Sequence, residues 1–87
     1  MNYEKLLEGK KALITAGADG IGYAIAKRFE KAGAEVFVCD INSDAVKRVN
    51  EIDDNIKAFE CDLRQSQLIG SMVKAGFDYL KEIDIIV

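Results

Sequence analysis

The sequence has no histidine, which removes the commonest general base and the commonest zinc ligand. No metal site is expected. Cysteine is scarce: Cys39 and Cys61 lie far apart, form no CxxC pair, and each ends an apolar run just before an aspartate. Both are read as buried, reduced thiols. No apolar run approaches the roughly 20 residues that cross a bilayer, and the acidic N-terminus is no signal peptide. A membrane partner is therefore not expected, and the cytoplasm is the expected address. Basic clusters are lacking too: 12 Lys and Arg stand against 15 Asp and Glu, for a net charge of −3, which argues against nucleic acid as a partner. Proline is absent, but the end of the chain says more. Ile83 to Val87 reads IDIIV, a strand-like run that stops while still apolar and without a turn signal. Exposed edges promote association, so residues 1–87 are expected to be the N-terminal part of a single longer domain.

What is present is a soluble, globular composition, 49% hydrophobic with charges of both signs mixed. Eighty-seven residues allow one small domain whose core is thin, since such a chain buries little more than about 60% of its unfolded surface. The chain is organised around Leu13 to Ala26, LITAGADGIGYAIA. A buried-strand run ends at Thr15; Gly17, Gly20 and Gly22 follow, and a helical pattern opens at Gly20. Glycine lets the backbone turn sharply out of a strand and lets a pyrophosphate approach without meeting a Cβ atom. The first helical turn then offers unpaired N–H groups and the positive end of its dipole to an anion.

Taken in order, a polar lead-in, Met1 to Gly9, holds Leu6 and Leu7 ready to pack on a sheet. Strand one is expected at Lys10 to Thr15 and helix one at Gly20 to Ala32, with Ile21, Ala24, Ile25, Phe29 and Ala32 at helical spacing. Strand two is Glu35 to Cys39, and a short helix capped by Asn42 or Ser43 runs through Val49. Strand three is Ile56 to Cys61. A longer helix follows from Gln65 to Leu80, with Ser66 as its cap, and strand four is Ile83 to Val87. The order β-α-β-α-β-α-β implies an α/β fold: a parallel sheet with right-handed crossovers and helices on both faces.

Two carboxylates end strands beside the glycine turn. Asp40 follows strand two, where it can accept hydrogen bonds from both ribose hydroxyls of an adenosine and would repel a 2′-phosphate. Asp62 follows strand three, and in an open α/β sheet all strand ends face the edge where ligands bind. The bland reading of both is a turn residue that starts the next helix.

At this point the sequence resembles the short-chain dehydrogenases/reductases. ALITAGADGIGYAIAKRFEKAGAEVFVCDIN is similar to that family's cofactor-binding opening, in which Thr, Gly, three residues and then Gly-x-Gly lead into the first helix. CDL, at Cys61 to Leu63, resembles the family's acidic-plus-apolar pair beside the adenine, and IDIIV the strand before its Asn-Asn-Ala-Gly segment. The resemblance implies a Rossmann-like sheet truncated after its fourth strand. It also implies NAD as cofactor, hydride transfer between an alcohol or carbonyl substrate and nicotinamide, a small-molecule substrate, and a homo-oligomer. Carried over, Thr15 would support the turn, Gly20 and Gly22 would face the pyrophosphate, and Asp19 and Ile21 would line the cofactor. Asp40 and Ile41 would hold the adenosine ribose, with Asp62 and Leu63 flanking adenine. One departure is visible: the family's first glycine is Ala16 here, with Gly17 immediately after it.

The family's catalytic serine, tyrosine and lysine would lie beyond Val87, so no residue of this chain is expected to be catalytic. A Tyr-x-x-x-Lys does occur, at Tyr23 to Lys27, but directly after the phosphate turn, and it is read as a coincidence of spacing. Two other readings are carried beside the dehydrogenase. One is a catalytically inert nucleotide-binding fragment. The other is a methyltransferase using S-adenosylmethionine, whose enzymes also place a glycine turn after strand one; the close Gly20-Ile21-Gly22 start of the helix, suited to pyrophosphate, counts against it.

Overall fold

The structure, a computed structural model, describes residues 6–87. The first five residues of the lead-in fall outside the described residues. Seven elements follow in the expected alternation: β1 (Lys11–Thr15), α1 (Gly20–Lys31), β2 (Glu35–Asp40), α2 (Ser43–Ile52), β3 (Ile56–Glu60), α3 (Ser66–Leu80) and β4 (Ile85–Ile86). The sheet is parallel throughout, in the order β3-β2-β1-β4.

Side chains alternate across the strands with period two. Ile14, Val36 and Val38 point to the face covered by α1 and α2, where Ala26, Ala45, Val46 and Val49 meet them. Leu13, Phe37 and Cys39 point to the other face, against Met72 and Leu80 of α3. The middle of both central strands is buried on each side, which is why β1 and β2 read as continuous apolar runs. Gly76 lets α3 lie close to the sheet: a Cβ there would stand 2.9 Å from Leu13 Cδ1. Phe37 anchors that layer at 1% exposure, and truncating such a ring to alanine costs about 3–5 kcal/mol.

Several boundaries differ from the sequence pattern for local reasons. The second helix continues three residues past Val49 to Ile52 because nothing breaks it before Asp53. Its far side covers the edge of β3: the Asn50 amide donates to Ala58 O at 2.9 Å and accepts from Ala58 N at 2.8 Å, filling the place of a missing strand. Ser66 does not cap the third helix; it is the first helical residue, and Gln65 occupies the cap position without a side-chain bond. β4 is short, yet its pairing reaches further, through Asp84 N to Lys11 O, Val87 N to Leu13 O and Thr15 N to Val87 O. Of the lead-in, Leu7 packs on the core and donates to Ala32 O at 2.7 Å, whereas Leu6 is exposed.

Candidate functional site

The sheet order reverses direction at β1: the chain moves from β1 to β2 and β3 on one side, then crosses to β4 on the other. Open α/β sheets bind ligands at such a switch point, outside the carboxyl ends of the strands. A cleft of about 530 Å³ lies at the carboxyl ends of β1, β2 and β3, on one side of that point. Ala16 lines it after β1, Cys39, Asp40 and Ile41 at the end of β2, and Cys61, Asp62, Leu63 and Arg64 after β3. Five sequence-predicted site residues thus share one space: Ala16, Asp40, Ile41, Asp62 and Leu63. A second hollow, about 440 Å³ beside Gly33, Glu35, Asn55 and Tyr79, holds none of them.

The turn into α1 is built by close approach. A Cβ on Gly22 would fall 1.8 Å from Ala16 O, so only glycine lets the helix start this close to the strand end. Gly17 is equally confined, with Val38 Cβ 2.7 Å from where its own Cβ would stand, and its N–H donates to Cys39 O at 3.1 Å. Gly20 opens the helix at φ +58, a conformation that favours glycine, with open space where its side chain would stand. Ala16, at the family's glycine position, adopts φ +53, the left-handed region that costs an alanine about 1 kcal/mol.

Asp40 ties this turn to β2. Its Oδ2 accepts from Ala18 N at 3.1 Å and its Oδ1 from Asn42 N at 3.1 Å. Asn42 in turn caps α2 through Ala45 N at 3.0 Å. Asp62 is gripped by Arg64: Nε donates to Oδ1 at 3.0 Å, Nη2 to Oδ2 at 2.9 Å, and the Arg64 backbone N–H also reaches Oδ1 at 3.0 Å. Those side-chain bonds from Arg64, with its backbone N–H and charge, lower the Asp62 pKa to about 2. Arg64 is the residue that the sequence pattern did not single out. Its signal was present: a cation two positions after a strand-end acid can fold back onto it.

Six predicted residues do not line the cleft: Gly17, Gly20 and Gly22 shape the turn beside it, and Thr15, Asp19 and Ile21 are engaged elsewhere. The Thr15 hydroxyl donates to Val87 O at 2.9 Å, so it fastens β4 to β1 rather than bracing the turn. Asp19 caps α1, with Oδ1 accepting from Gly20 N at 2.9 Å and standing 3.9 Å from Arg48 Nη2 of α2. Ile21 is 83% exposed on the first turn of α1.

The two cysteines form the cleft's floor as free, buried thiols. Burial, with Cys61 nearby, pushes the Cys39 thiol up to about 11. Burial also raises Cys61. Both therefore remain protonated and unreactive at neutral pH.

Tyr23 and Lys27 turn away from this cleft. The Tyr23 hydroxyl donates to Asp53 Oδ2 at 2.7 Å, and Lys27 Nζ lies 3.2 Å from the same oxygen and 3.3 Å from Glu30 Oε1. The Tyr-x-x-x-Lys spacing serves to hold the buried carboxylate that ends α2. Among the described residues there is no metal-binding cluster of His, Cys, Asp or Glu, and no helix long and apolar enough to cross a membrane.

Comparison with known proteins agrees with this geometry. The pattern of the family described as short chain dehydrogenase matches residues 10–87. The chain is 36% identical over 85 residues to a 7alpha-hydroxysteroid dehydrogenase of Escherichia coli K12, covering 93% of this chain and 33% of that protein. A 3beta-hydroxysteroid dehydrogenase 2 of Eggerthella lenta is 32% identical over 89 residues, with 98% and 34% covered. Among solved structures, a 3-ketoacyl-(acyl-carrier-protein) reductase from Brucella melitensis complexed with NADH superposes with a TM-score of 0.85 at 37% identity, covering 92% of this chain and 33% of that one. A 7 alpha-hydroxysteroid dehydrogenase complexed with NADH and 7-oxo glycochenodeoxycholic acid gives 0.86 at 37% identity, with 99% and 36% covered. The chain spans about a third of the length of the relatives it matches. With that match over residues 10–87 and a shared fold, the chain belongs to the short-chain dehydrogenase family.

Proposed function

We propose that this chain binds the adenosine and pyrophosphate portions of NAD(H), as the nucleotide-binding part of an oxidoreductase that moves hydride between an alcohol or carbonyl substrate and nicotinamide. The observation that carries this reading is the cleft at the carboxyl ends of β1, β2 and β3, lined by Asp40 and Asp62, with Asp40 bonded to Ala18 N of the glycine turn. The residues fit such a ligand. Gly22 brings the helix N-terminus against the strand end, and no side chain at Gly20 blocks the approach of an anion, although the Gly20 N–H is held by Asp19. Asp40 presents a carboxylate to ribose hydroxyls, and Asp62, held ionised, offers acceptor oxygens to the amino group of adenine. Ile41 and Leu63, apolar and partly exposed beside the cleft, would flank the nucleoside and bury area on binding.

The bound cofactor would supply the hydride chemistry. This chain's residues would orient the adenosine end. NAD is favoured over NADP because a 2′-phosphate would meet the Asp40 carboxylate. Small-molecule substrate and homo-oligomeric assembly are proposed on the family's pattern.

Titration calorimetry with NAD and NADP tests this. NAD is expected to bind at least about tenfold more tightly, and Asp40→Ala to weaken NAD and narrow the gap. Tighter binding of NADP would overturn the cofactor choice, and binding of neither would overturn the site.

A further inference from the structure

We propose that Arg64 is the platform on which the adenine base stacks, an affinity-giving residue of the cleft. The proposal rests on the adenosine reading above. Arg64 is 82% exposed at its side chain, yet its head is not free to wander. Nε and Nη2 take one Asp62 oxygen each, at 3.0 and 2.9 Å, and this two-pronged bond fixes the guanidinium plane. The backbone bond from Arg64 N to Oδ1 fixes the base of the same side chain. An unpaired exposed arginine would lose rotamer freedom on docking a ligand; this one already gives up part of it to its neighbour.

Arg64 lines the cleft together with Leu63 and Ala16. Guanidinium is weakly hydrated and stacks on aromatic faces, so a purine entering beside Asp62 would meet a flat, pre-set surface. The pairing also argues against the other use of an arginine here, a grip on phosphate. Asp62 offsets the charge and takes the Nε edge of the guanidinium, which leaves less attraction for a phosphate.

The test compares NAD and NADP binding by calorimetry in the wild-type chain, Arg64→Ala and Arg64→Lys, at low and high salt, with circular dichroism to verify the fold. The high exposure of Arg64 makes loss of fold unexpected in either variant. Arg64→Ala should weaken both nucleotides roughly fivefold to thirtyfold, by about the same factor at either salt concentration. Arg64→Lys should show a similar loss, because lysine keeps the charge without the plane. Wild-type affinity in either variant, or a loss confined to NADP, would overturn the platform and leave the nucleotide site standing. A wild-type chain that binds neither nucleotide would instead overturn the site itself, and the platform with it.

Discussion

Replacing Tyr23 by phenylalanine separates the two readings of the Tyr-x-x-x-Lys spacing. Asp53 ends α2 and is only 8% exposed. Its Oδ2 accepts from the Tyr23 hydroxyl at 2.7 Å and from Lys27 Nζ at 3.2 Å, and Lys27 also reaches Oδ1 at 3.4 Å. Removing the hydroxyl leaves the carboxylate with Lys27 alone among these donors. A hydrogen bond to a charged group is worth about 1.5–3 kcal/mol; with Tyr23 and Lys27 partly open to water, about 1–2 kcal/mol is expected. In a domain of this size that lowers Tm by roughly 5–12 °C. Urea denaturation of the wild type, Tyr23→Phe, Asp53→Ala and the double variant would give a coupling of about 1 kcal/mol between the pair. NAD affinity should stay within about twofold, since neither Tyr23 nor Lys27 lines the cleft. A coupling below about 0.3 kcal/mol would refute the latch, and a large loss of NAD affinity with unchanged stability would return the pair to a functional role.

Three further outcomes are expected. Ala16→Gly relieves the left-handed φ of +53, worth about 1 kcal/mol, but frees the unfolded chain by a similar amount, so stability should change by less than about 0.5 kcal/mol. A destabilisation beyond about 1 kcal/mol in urea would show that the alanine is not strained. Asp19→Ser removes a carboxylate from the helix end that is proposed to face pyrophosphate while keeping a cap; NAD should bind about threefold more tightly at low salt, and titration at high salt should erase the gain. Weaker binding at low salt would mean that Asp19 contacts the ligand favourably. Thermal melts across pH should show loss at both ends. Cys39, Cys61, Tyr23, Tyr79 and Lys27 all have pKa values raised above their ordinary ones, so their contribution is present below about pH 9 and lost as pH rises through the folded values. Asp62, lowered from 3.8 to about 2, contributes above its ordinary value and loses that contribution as pH falls toward 2. An alkaline limb that is flat up to pH 11 would contradict the burial of Cys39.

The elements were legible because each carries a local signal that tertiary packing reinforces. β1 and β2 read as unbroken apolar runs since both faces are covered, and Gly33 and Asn42 mark ends that the structure keeps. Boundaries set by a distant partner were not legible. Nothing near β4 announces that Thr15 will fasten Val87, or that Asn50 will stand in for a strand beside Ala58. The cleft was legible through its acids, which are tied to strand ends by position. Arg64 was not, because its place depends on folding back across one turn onto Asp62 rather than on any repeat or strand end.

For Asp40 the bland and the functional readings turn out to describe one arrangement. The carboxylate does start the next segment, through Asn42 N, as a turn residue would. Its other oxygen reaches from β2 to Ala18 N in the glycine turn after β1. The loops after β1 and β2 are therefore held by a single side chain, with the group that would receive ribose already oriented by its own bonds. A carboxylate so fixed loses little further entropy on meeting a ligand, which is the condition for a tight, selective polar contact. The same reasoning makes Asp40→Asn a poor neutral test. The amide keeps an acceptor for only one of the two backbone N–H groups and turns an NH₂ toward the other, so it would loosen the turn and the proposed ribose contact together. Asp40→Ala is the cleaner change: stability and NAD affinity should both fall, and NADP should gain relative to NAD only if the carboxylate faces the 2′ position as well as the turn.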